Sequence, residues 1–290
     1  MDLPNPYEVL VRNFLKDVTA GAHTPVDDAL IEEAGEHFKN ALKKQFREGN
    51  RREFRLRMSN LGRPTCQLWY AKNKPEAAED KPYDFLMRML LGDAIEVLSL
   101  FILKAAGVNV ESSSGLVEMD LDGSEIKGEY DLVIDGKVWD IKSASPFSFK
   151  SKFKSFEAMA EGDSFGYVAQ GYGYARATGM PFGGWIAVNK STGEWAFVEA
   201  PEDEAKVKEV ENNMISTKQY IEQDKPFERC FEDEEEKFRG KPTGNRTVPI
   251  NCQFCDYKHT CWPNLQYKPQ AKSQAKNPKW IYYSVYNEEE

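Results

Sequence analysis

The chain has 290 residues and a formal net charge of −9, with 41% hydrophobic and 12% aromatic residues. This composition is typical of an ordinary globular protein with one large domain or two small ones. No apolar stretch approaches the roughly 20 residues of a membrane-spanning helix, and the first residues lack the features of a secretory signal. We therefore expect a cytoplasmic protein without a membrane partner, in which cysteines stay reduced.

The net negative charge argues against nucleic-acid binding, because proteins that bind nucleic acid usually present a basic surface. Basic residues are nevertheless concentrated in segment 39–57, and a second basic patch follows at 150–154. The residues that could contact a nucleic-acid backbone are Arg51, Arg52, Arg55, Arg57, Lys150, Lys152 and Lys154. The alternative is that both basic runs are solvated helix faces.

The predicted elements begin with helices and continue as three strands, a helix, two strands and a last helix. Apolar spacing predicts mostly helical structure up to about residue 60 and a long buried helix over 83–106. Asp-Gly, Gly-Gly and Thr-Gly turns separate the predicted strands, which cover 115–122, 125–134, 137–142, 183–190 and 194–199. Further helices are predicted over 164–178 and 201–224, followed by an acidic linker to about 247. This order indicates an α/β core with a central mixed sheet flanked by helices.

Asp135-Gly136, flanked by apolar residues, is a strong signal for a two-residue hairpin. Such a turn fixes the register, so that Ile134 pairs with Lys137 and Asp131 falls opposite Asp140. Glu129 then lies opposite Lys142. Residues 129, 131, 140 and 142 share one face, while the other face is predicted to be core and carries Tyr130, Leu132, Ile134, Trp139 and Ile141.

Two carboxylates at cross-strand distance repel each other unless a positive charge lies between them. A divalent cation supplies that charge, and oxygen ligands favour Mg²⁺ or Mn²⁺. Lys142, on the same face as Asp140, could stabilise charge on a phosphate or orient an attacking water. The alternative is an ordinary exposed hairpin with solvated aspartates and a Glu129–Lys142 pair.

A third carboxylate, Glu96, lies in a predicted helix with little polar surface, where an unpaired carboxylate is costly. A metal could compensate it, and so could Lys104 or Arg88. Asp93, one turn earlier, is a competing ligand. Downstream, Gln170 and Tyr174 lie four residues apart on one helical face and could contact phosphate or position Lys142, although Tyr174 could equally be a core aromatic.

The cysteines form a second candidate site. Cys252, Cys255 and Cys261 have C-x2-C-x5-C spacing, and Cys66 lies far upstream. Four thiolates suit a 4Fe–4S cluster or a zinc ion. Zinc has a local alternative made of Cys252, Cys255, His259 and Cys261. The remaining cysteine, Cys230, is predicted to be a small core residue.

Taken in order, these motifs resemble the PD-(D/E)XK nucleases of the RecB-like group, and in particular the iron–sulfur members. The resemblance spans roughly residues 62–261. It rests on Gly128-x-x-Asp131, Asp140-x-Lys142, Gln170-x-x-x-Tyr174, and one cysteine before and three after the core. These members include CRISPR-associated exonucleases and helicase–nuclease domains. One difference is that Glu96 stands where a histidine is frequent, as also in phage-type recombination exonucleases.

The resemblance implies a Mg²⁺- or Mn²⁺-dependent DNA exonuclease of a recombination, repair or processing pathway. Glu96, Asp131, Asp140 and the Ile141 carbonyl would hold the metal, and Lys142, Gln170 and Tyr174 would assist. It favours a structural 4Fe–4S cluster on Cys66, Cys252, Cys255 and Cys261 over zinc. The implied parts are a helical region 1–65, a nuclease core 66–225, a linker and iron–sulfur segment 226–265, and a tail 266–290 that could dock a protein partner.

Three alternatives stay open. The chain could be a CRISPR-adaptation nuclease that trims DNA ends together with partner proteins. It could be a catalytically inactive DNA-binding or scaffold module that keeps the nuclease fold. It could also be a zinc-containing binding protein without nuclease activity.

Overall fold

The structure is a computed structural model that describes residues 5–47 and 53–287. Its elements are α1 (Pro6–Thr19), α2 (Asp28–Phe46), α3 (Thr65–Asn73), α4 (Phe85–Ala105), β1 (Val110–Leu121), β2 (Ser124–Ile134), β3 (Lys137–Ala144), α5 (Pro146–Ser151), α6 (Phe156–Glu161), α7 (Tyr167–Thr178), β4 (Phe182–Asn189), β5 (Trp195–Glu199), α8 (Glu204–Glu222), β6 (Glu234–Phe238), β7 (Lys241–Thr247), α9 (Ile250–Gln253), α10 (Lys258–Cys261), β8 (Gln266–Pro269) and β9 (Trp280–Val285). Among these residues, no helix is both long and apolar enough to cross a membrane.

The chain divides into two compact units, each built from two separate stretches of sequence. The first unit comprises Met1–Gly62 and Pro82–Lys218, and the second comprises Arg63–Lys81 and Gln219–Glu290. The predicted division differs from this one, because it assigns α3 and Cys66 to the core. In the structure α3 belongs with the C-terminal stretch, since its aromatic side chains pack there: the ring of Tyr70 stacks on that of Tyr257, with 5.3 Å between centroids.

The first unit contains the predicted mixed sheet. Its strand order is β1-β2-β3-β4-β5, in which β3 and β4 are parallel and the other neighbours are antiparallel. β4 is buried along its whole length, which explains its nearly continuous apolar sequence. Gly184 in β4 has a φ of +133°, and an added Cβ would lie 2.0 Å from the Val198 carbonyl oxygen. Only glycine therefore allows β5 to approach at this point.

Helices cover both faces of this sheet, as predicted. On one face α1 and α4 contribute Val11 and Leu103 to a core with the strand residues Leu132, Ile134, Trp139, Ile141 and Ile186. On the other face α6, α7 and α8 pack on a core whose strand residues include Val133, Val138, Trp185 and Ala187. Tyr130 packs with this second core, so its predicted place beside Leu132 is wrong. Both faces of the β2–β3 hairpin are thus apolar near the turn.

The second unit has an antiparallel sheet that the sequence did not predict. Its strand order is β6-β7-β9-β8, and it lies where an acidic linker and a tail were expected. β6 reads Glu-Glu-Glu-Lys-Phe and has no apolar alternation, yet Glu236 within it is only 4% exposed. Tyr283, Thr243 and Asn245 donate hydrogen bonds to its carboxylate at 2.6–3.0 Å. A buried carboxylate with several donors is compensated, and this network replaces an apolar core in the sheet.

Candidate functional site

The β2–β3 hairpin forms with the predicted register near its turn. Ile134 pairs with Lys137, Val133 with Val138, and Leu132 with Trp139. Beyond the Leu132–Trp139 pair the backbone hydrogen bonds between β2 and β3 stop, because the side chain of Asp131 replaces a backbone carbonyl as the acceptor. Its Oδ2 accepts a hydrogen bond from the Ile141 amide at 2.6 Å. Glu129 is exposed and pairs within β1–β2, so the predicted Glu129–Lys142 pairing is wrong.

Asp140 is buried beside a lysine of its own strand. It is 1% exposed, and its Oδ2 lies 2.6 Å from the Nζ of Lys142. Its Oδ1 has no hydrogen-bond partner in the described part of the chain. Burial raises the pKa of Asp140 above its ordinary value, although the lysine opposes that rise. A buried carboxylate oxygen without a donor is costly, which indicates a site built to receive positive charge.

Asp131 and Glu96 complete an acidic group with Asp140. Burial, followed by the charges of Asp140 and Glu96, raises the pKa of Asp131. Burial also raises the pKa of Glu96 to about 6, while the charges of Lys44 and Lys142 oppose the shift. The charge of Asp140 thus acts on both Asp131 and Glu96, so these carboxylates lie within electrostatic range of it.

The alternative partners predicted for Glu96 are engaged elsewhere. Lys104 pairs with Glu33 at 2.5 Å, and Arg88 pairs with Asp84 at 2.7 Å. Asp93, the competing ligand, accepts a hydrogen bond from Gln45 at 2.8 Å. Among residues 5–47 and 53–287, Glu96 is left without a hydrogen bond or ion pair. It is therefore available to a ligand.

Lys142 is connected to α7 by a short chain of polar contacts. Its Nζ lies 3.4 Å from Gln170 Oε1, and Gln170 Nε2 donates to the Tyr174 hydroxyl at 2.8 Å. Its Nζ also lies 4.7 Å from the centroid of the Tyr167 ring. Burial lowers the pKa of Lys142, but the charges of Asp140 and Asp131 outweigh burial and raise it above its ordinary value. The lysine is thus held cationic and aimed at the carboxylates.

Gly128 explains how Tyr174 reaches this position. A Cβ added there would lie 2.7 Å from the Tyr174 ring and 2.6 Å from Met58 Sδ. Such distances are shorter than real Cβ contacts, so any side chain at 128 would displace the ring. The Gly128-x-x-Asp131 motif therefore supplies a carboxylate and the space for a tyrosine from α7.

Sequence reasoning missed Asp163, which shapes this end of α7. Its Oδ1 accepts hydrogen bonds from the amides of Gly166 and Tyr167 at 2.8 and 2.9 Å, and its Oδ2 accepts one from Val168 at 2.9 Å. The same carboxylate contributes to raising the pKa of Asp140. The sequence signal for this role is an aspartate shortly before the predicted helix, since aspartate side chains often accept hydrogen bonds from the first amides of a helix.

The residues predicted to contact a nucleic-acid backbone differ in their placement. Lys150 and Lys154 are exposed, as is Arg55. Lys152 is turned inward and donates to the Gly162 carbonyl at 2.5 Å. Arg57 forms a β-bridge to Lys127, while Arg51 and Arg52 lie outside the described residues. Lys44, whose charge acts on Glu96, is a further basic residue near the acidic group.

All five cysteines lie in the second unit, and four of them are those predicted to be ligands. Cys66 lies in the first turn of α3, Cys252 in α9 and Cys261 at the end of α10. Burial raises the pKa of both Cys252 and Cys255 to about 11, and each of these thiols is also affected by Cys261. Burial thus favours the neutral form of these two thiols, and the charge of Cys261 acts on both.

The prediction for Cys230 is wrong. This residue is exposed, and its Sγ accepts hydrogen bonds from the Cys66 amide at 3.0 Å and pairs with the Thr65 hydroxyl at 3.4 Å. A hydrogen bond from the Cys66 thiol, opposed by burial, lowers the pKa of Cys230 to about 6. A single cysteine without a spacing motif carries no sequence signal, which is why its place beside Cys66 was not expected.

In the described part of the chain, neither the carboxylates of the first unit nor the cysteines of the second form a complete coordination sphere. Within the described residues, no set of three or more His, Cys, Asp or Glu side chains is arranged so that it could hold a metal ion. The donor types nevertheless fit the implied groups, since carboxylates suit Mg²⁺ or Mn²⁺ and thiolates suit a 4Fe–4S cluster or zinc. In the acidic group, the Asp140 Oδ1 atom is buried and has no hydrogen-bond partner in the described part of the chain, as a cation ligand would. His259, the local zinc alternative, is half-exposed and lies 3.6 Å from Glu79.

Comparison with known proteins assigns no family to the chain. No family model matches it, and no curated protein matches it significantly. Among solved structures, it is similar to one described as "Crystal structure of SSO0001". The two chains share 17% identity over 63% of this chain and 85% of that chain, with a TM-score of 0.36.

Proposed function

We propose that the protein is a Mg²⁺- or Mn²⁺-dependent deoxyribonuclease of the PD-(D/E)XK type that acts as an exonuclease in DNA recombination, repair or processing. One observation carries the proposal: a buried Asp140–Lys142 pair with an unpartnered carboxylate oxygen, adjoined by Asp131 and Glu96. A hydrophobic core needs no such charges, and leaving a buried carboxylate oxygen without a donor is costly for a purely structural ion pair. The arrangement fits a site that binds a cation and then a phosphate.

The side chains would divide the work according to their charge. Asp131, Asp140, Glu96 and the Ile141 carbonyl would hold the cation, which when bound polarises a phosphoryl oxygen and lowers the pKa of a water molecule. Lys142, held cationic by its neighbours, would stabilise charge that develops on the phosphate. Gln170 would keep the ammonium group in place, and Tyr174 would in turn hold Gln170.

We further propose that Cys66, Cys252, Cys255 and Cys261 hold a structural 4Fe–4S cluster, with zinc as the alternative metal. The support is that Cys66 belongs to the same compact unit as the three cysteines of the C-x2-C-x5-C motif, and that the charge of Cys261 acts on Cys66. Such a centre would link α3 covalently to α9 and α10. Visible absorbance together with iron and zinc analysis of protein purified without oxygen distinguishes the two metals, since a zinc protein is colourless.

The test of the nuclease proposal follows end-labelled linear DNA and closed circular DNA in Mg²⁺, in Mn²⁺ and in EDTA. We expect metal-dependent loss of linear DNA alone, which Lys142→Ala abolishes and Lys208→Ala, a change at an exposed lysine of α8, leaves largely intact. Cleavage of circles would indicate an endonuclease. If folded, metal-loaded protein cleaves neither substrate, the chain is a DNA-binding or scaffold module.

A nuclease that trims ends together with other proteins, as in CRISPR adaptation, predicts a different pattern. Such a nuclease would degrade DNA poorly when tested alone. Added partner proteins would raise its activity or make its products uniform in length. The partners and the pathway of this chain can be tested by co-purification from its native source.

A further inference from the structure

A row of exposed aromatic rings lies on one face of the sheet of the second unit. The β8–β9 register places Tyr267 opposite Tyr282 and Pro269 opposite Trp280. The Tyr267 ring lies 4.5 Å from that of Tyr282 and 5.3 Å from that of Trp280, measured between centroids. Tyr267 is 51% exposed and Trp280 is 50% exposed. Two adjacent rings are therefore open to solvent, next to the half-buried ring of Tyr282.

Packing of the sheet does not require the rings of Tyr267 and Trp280, whereas Tyr282 also packs against Val248, Cys252 and Trp262. Side chains alternate along β9, and its inward residues Ile281 and Tyr283 are buried at 6% and 0% exposure. The opposite set of side chains thus supplies buried residues of this sheet without help from Tyr267 or Trp280. Large aromatic residues that are exposed next to each other, and that the core does not need, more often form a binding surface than contribute to folding.

The charge of the sequence around the aromatic row indicates which kind of partner the row binds. From Trp262 to Asn287 the sequence contains four lysines, Lys268, Lys272, Lys276 and Lys279, and neither aspartate nor glutamate. This contrasts with the net charge of −9 of the whole chain. The three terminal glutamates that follow lie outside the described residues. A groove next to the row is lined by Lys268, Lys272, Trp280 and Tyr286 together with two asparagines.

The carboxylates that approach this surface from neighbouring elements are neutralised. Asp233 accepts a hydrogen bond from Ser284 of β9, and it pairs with Arg246 at 2.6 Å. Glu79 lies near His259, which packs against Tyr282, but it pairs with Lys258. Asp233 and Glu79 are thus each paired with a cation, while Lys276 and Lys279 of the basic stretch are exposed.

We propose that this face of the second unit binds single-stranded DNA, with bases stacked on Trp280, Tyr267 and Tyr282 and phosphates contacted by the lysines. Exposed aromatic rings combined with a basic groove are the features by which proteins bind single strands without sequence preference, because every base offers a flat face. The exposed side chains of the row, Tyr267 and Trp280, are aromatic rather than aliphatic, which favours flat bases over a protein partner. The proposal deepens the nuclease function and rests on it only for the choice of DNA among polyanions.

Binding is measured by fluorescence anisotropy of a labelled thymidine oligonucleotide in EDTA, so that no cleavage occurs. We expect Trp280→Ala and Tyr267→Ala each to weaken binding about tenfold, the effect of losing one stacking interaction. Lys279→Ala should reduce the dependence of affinity on salt. The matched control is Tyr83→Ala, which removes a tyrosine that is 99% exposed and lies outside this unit.

A second measurement avoids any effect of the substitutions on folding. Wild-type protein is photo-crosslinked to the oligonucleotide and the modified peptides are identified by mass spectrometry. Crosslinks to peptides that contain Tyr267 and Trp280–Tyr282 are expected. Crosslinks confined to other peptides, or unchanged affinity of both aromatic variants, would overturn the proposal.

These outcomes are separable from the fate of the nuclease proposal. Loss of cleavage in Lys142→Ala with intact oligonucleotide binding supports both proposals. Wild-type protein that binds through the aromatic row but never cleaves would retain this inference and refute the nuclease. Protein that cleaves normally while the aromatic variants bind like wild type would refute this inference alone. If a peptide or protein but no oligonucleotide occupies the row, the inference is likewise wrong.

Discussion

The acidic group of the first unit and the cysteine cluster of the second unit differ in how their charge is compensated when no metal is bound. The acidic group carries its own counter-charge, because Lys142 lies 2.6 Å from the Asp140 carboxylate. In the cysteine cluster burial instead favours the neutral form of Cys252 and Cys255, because it raises the pKa of each to about 11. A buried charge is sensitive to losing its partner, whereas a neutral thiol is not. The two sites should therefore respond differently to substitution in metal-free protein.

The largest effect is expected from breaking the Asp140–Lys142 pair. Lys142→Met keeps the volume of the side chain and leaves Asp140 buried without a cation, at a cost of about 3–5 kcal/mol in the free energy of unfolding. Asp140→Asn combined with Lys142→Met should cost less than the sum of the two single changes. Urea unfolding of the four proteins measures this coupling, and simple additivity would show that the pair does not stabilise the fold.

The next effect comes from the space beside Tyr174. Gly128→Ala places a Cβ 2.7 Å from the Tyr174 ring, and we expect about 1–3 kcal/mol of destabilisation from overpacking. The displaced tyrosine should also release Gln170, which lowers nuclease activity. Gly92→Ala in α4 is the matched control, because its added Cβ would lie 3.8 Å from Ser143 Oγ, an ordinary contact. Equal losses in both variants would contradict the role given to Gly128.

A pH-dependent effect is expected from Glu96. Its pKa in the folded protein, about 6, lies above the ordinary value of 4.5. Its contribution to stability is therefore fully present below about pH 4.5 and is lost as pH rises through about 6. Metal-free Glu96→Gln should be more stable than wild type at pH 7 by up to about 2 kcal/mol, and equally stable at pH 4.

Added Mg²⁺ or Mn²⁺ should reverse this order, because the wild-type carboxylate gains a ligand and the amide gains less. Thermal unfolding with and without the ion measures the difference. A wild type that stays less stable than Glu96→Gln at saturating metal would exclude Glu96 as a ligand.

The smallest effect is expected in the cysteine cluster of metal-free protein. Cys66→Ser and Cys230→Ser should each change the free energy of unfolding by about 1 kcal/mol, the size of one net hydrogen bond. In protein purified with its metal the two variants should separate: Cys66→Ser loses bound iron or zinc, whereas Cys230→Ser retains it. Metal loss in Cys230→Ser would show that Cys230 is itself a ligand.

The sequence predicts the first unit well because its signals are local. The Asp135-Gly136 turn fixes the three pairs from Ile134–Lys137 to Leu132–Trp139, and Gly179 ends α7 with a left-handed φ of +70°. The meeting of Lys142, Gln170 and Tyr174 follows from one strand and one helix of regular geometry. The end of the ladder at Asp131 was not predictable, because it depends on a side chain that replaces a backbone acceptor.

The second unit is predicted poorly because its contacts are distant in sequence. In β6, Glu236 accepts a hydrogen bond from Tyr283 of β9, 47 residues away. The spacing of apolar residues in the sequence cannot predict such a polar network. Cys230 and Cys66 meet across 164 residues. The C-x2-C-x5-C spacing places three thiols together, but only the fold reveals that a fifth cysteine joins them.

The discontinuous second unit has a consequence for synthesis on the ribosome. α3 contacts residues such as Ile221, to which Lys72 donates across a separation of 149 residues. When α3 leaves the ribosome, its partners have not yet been translated, and most of the first unit emerges in between. Because domains generally fold as units during synthesis, Trp69, Tyr70 and their neighbours should stay exposed to chaperones until nearly the whole chain has been made.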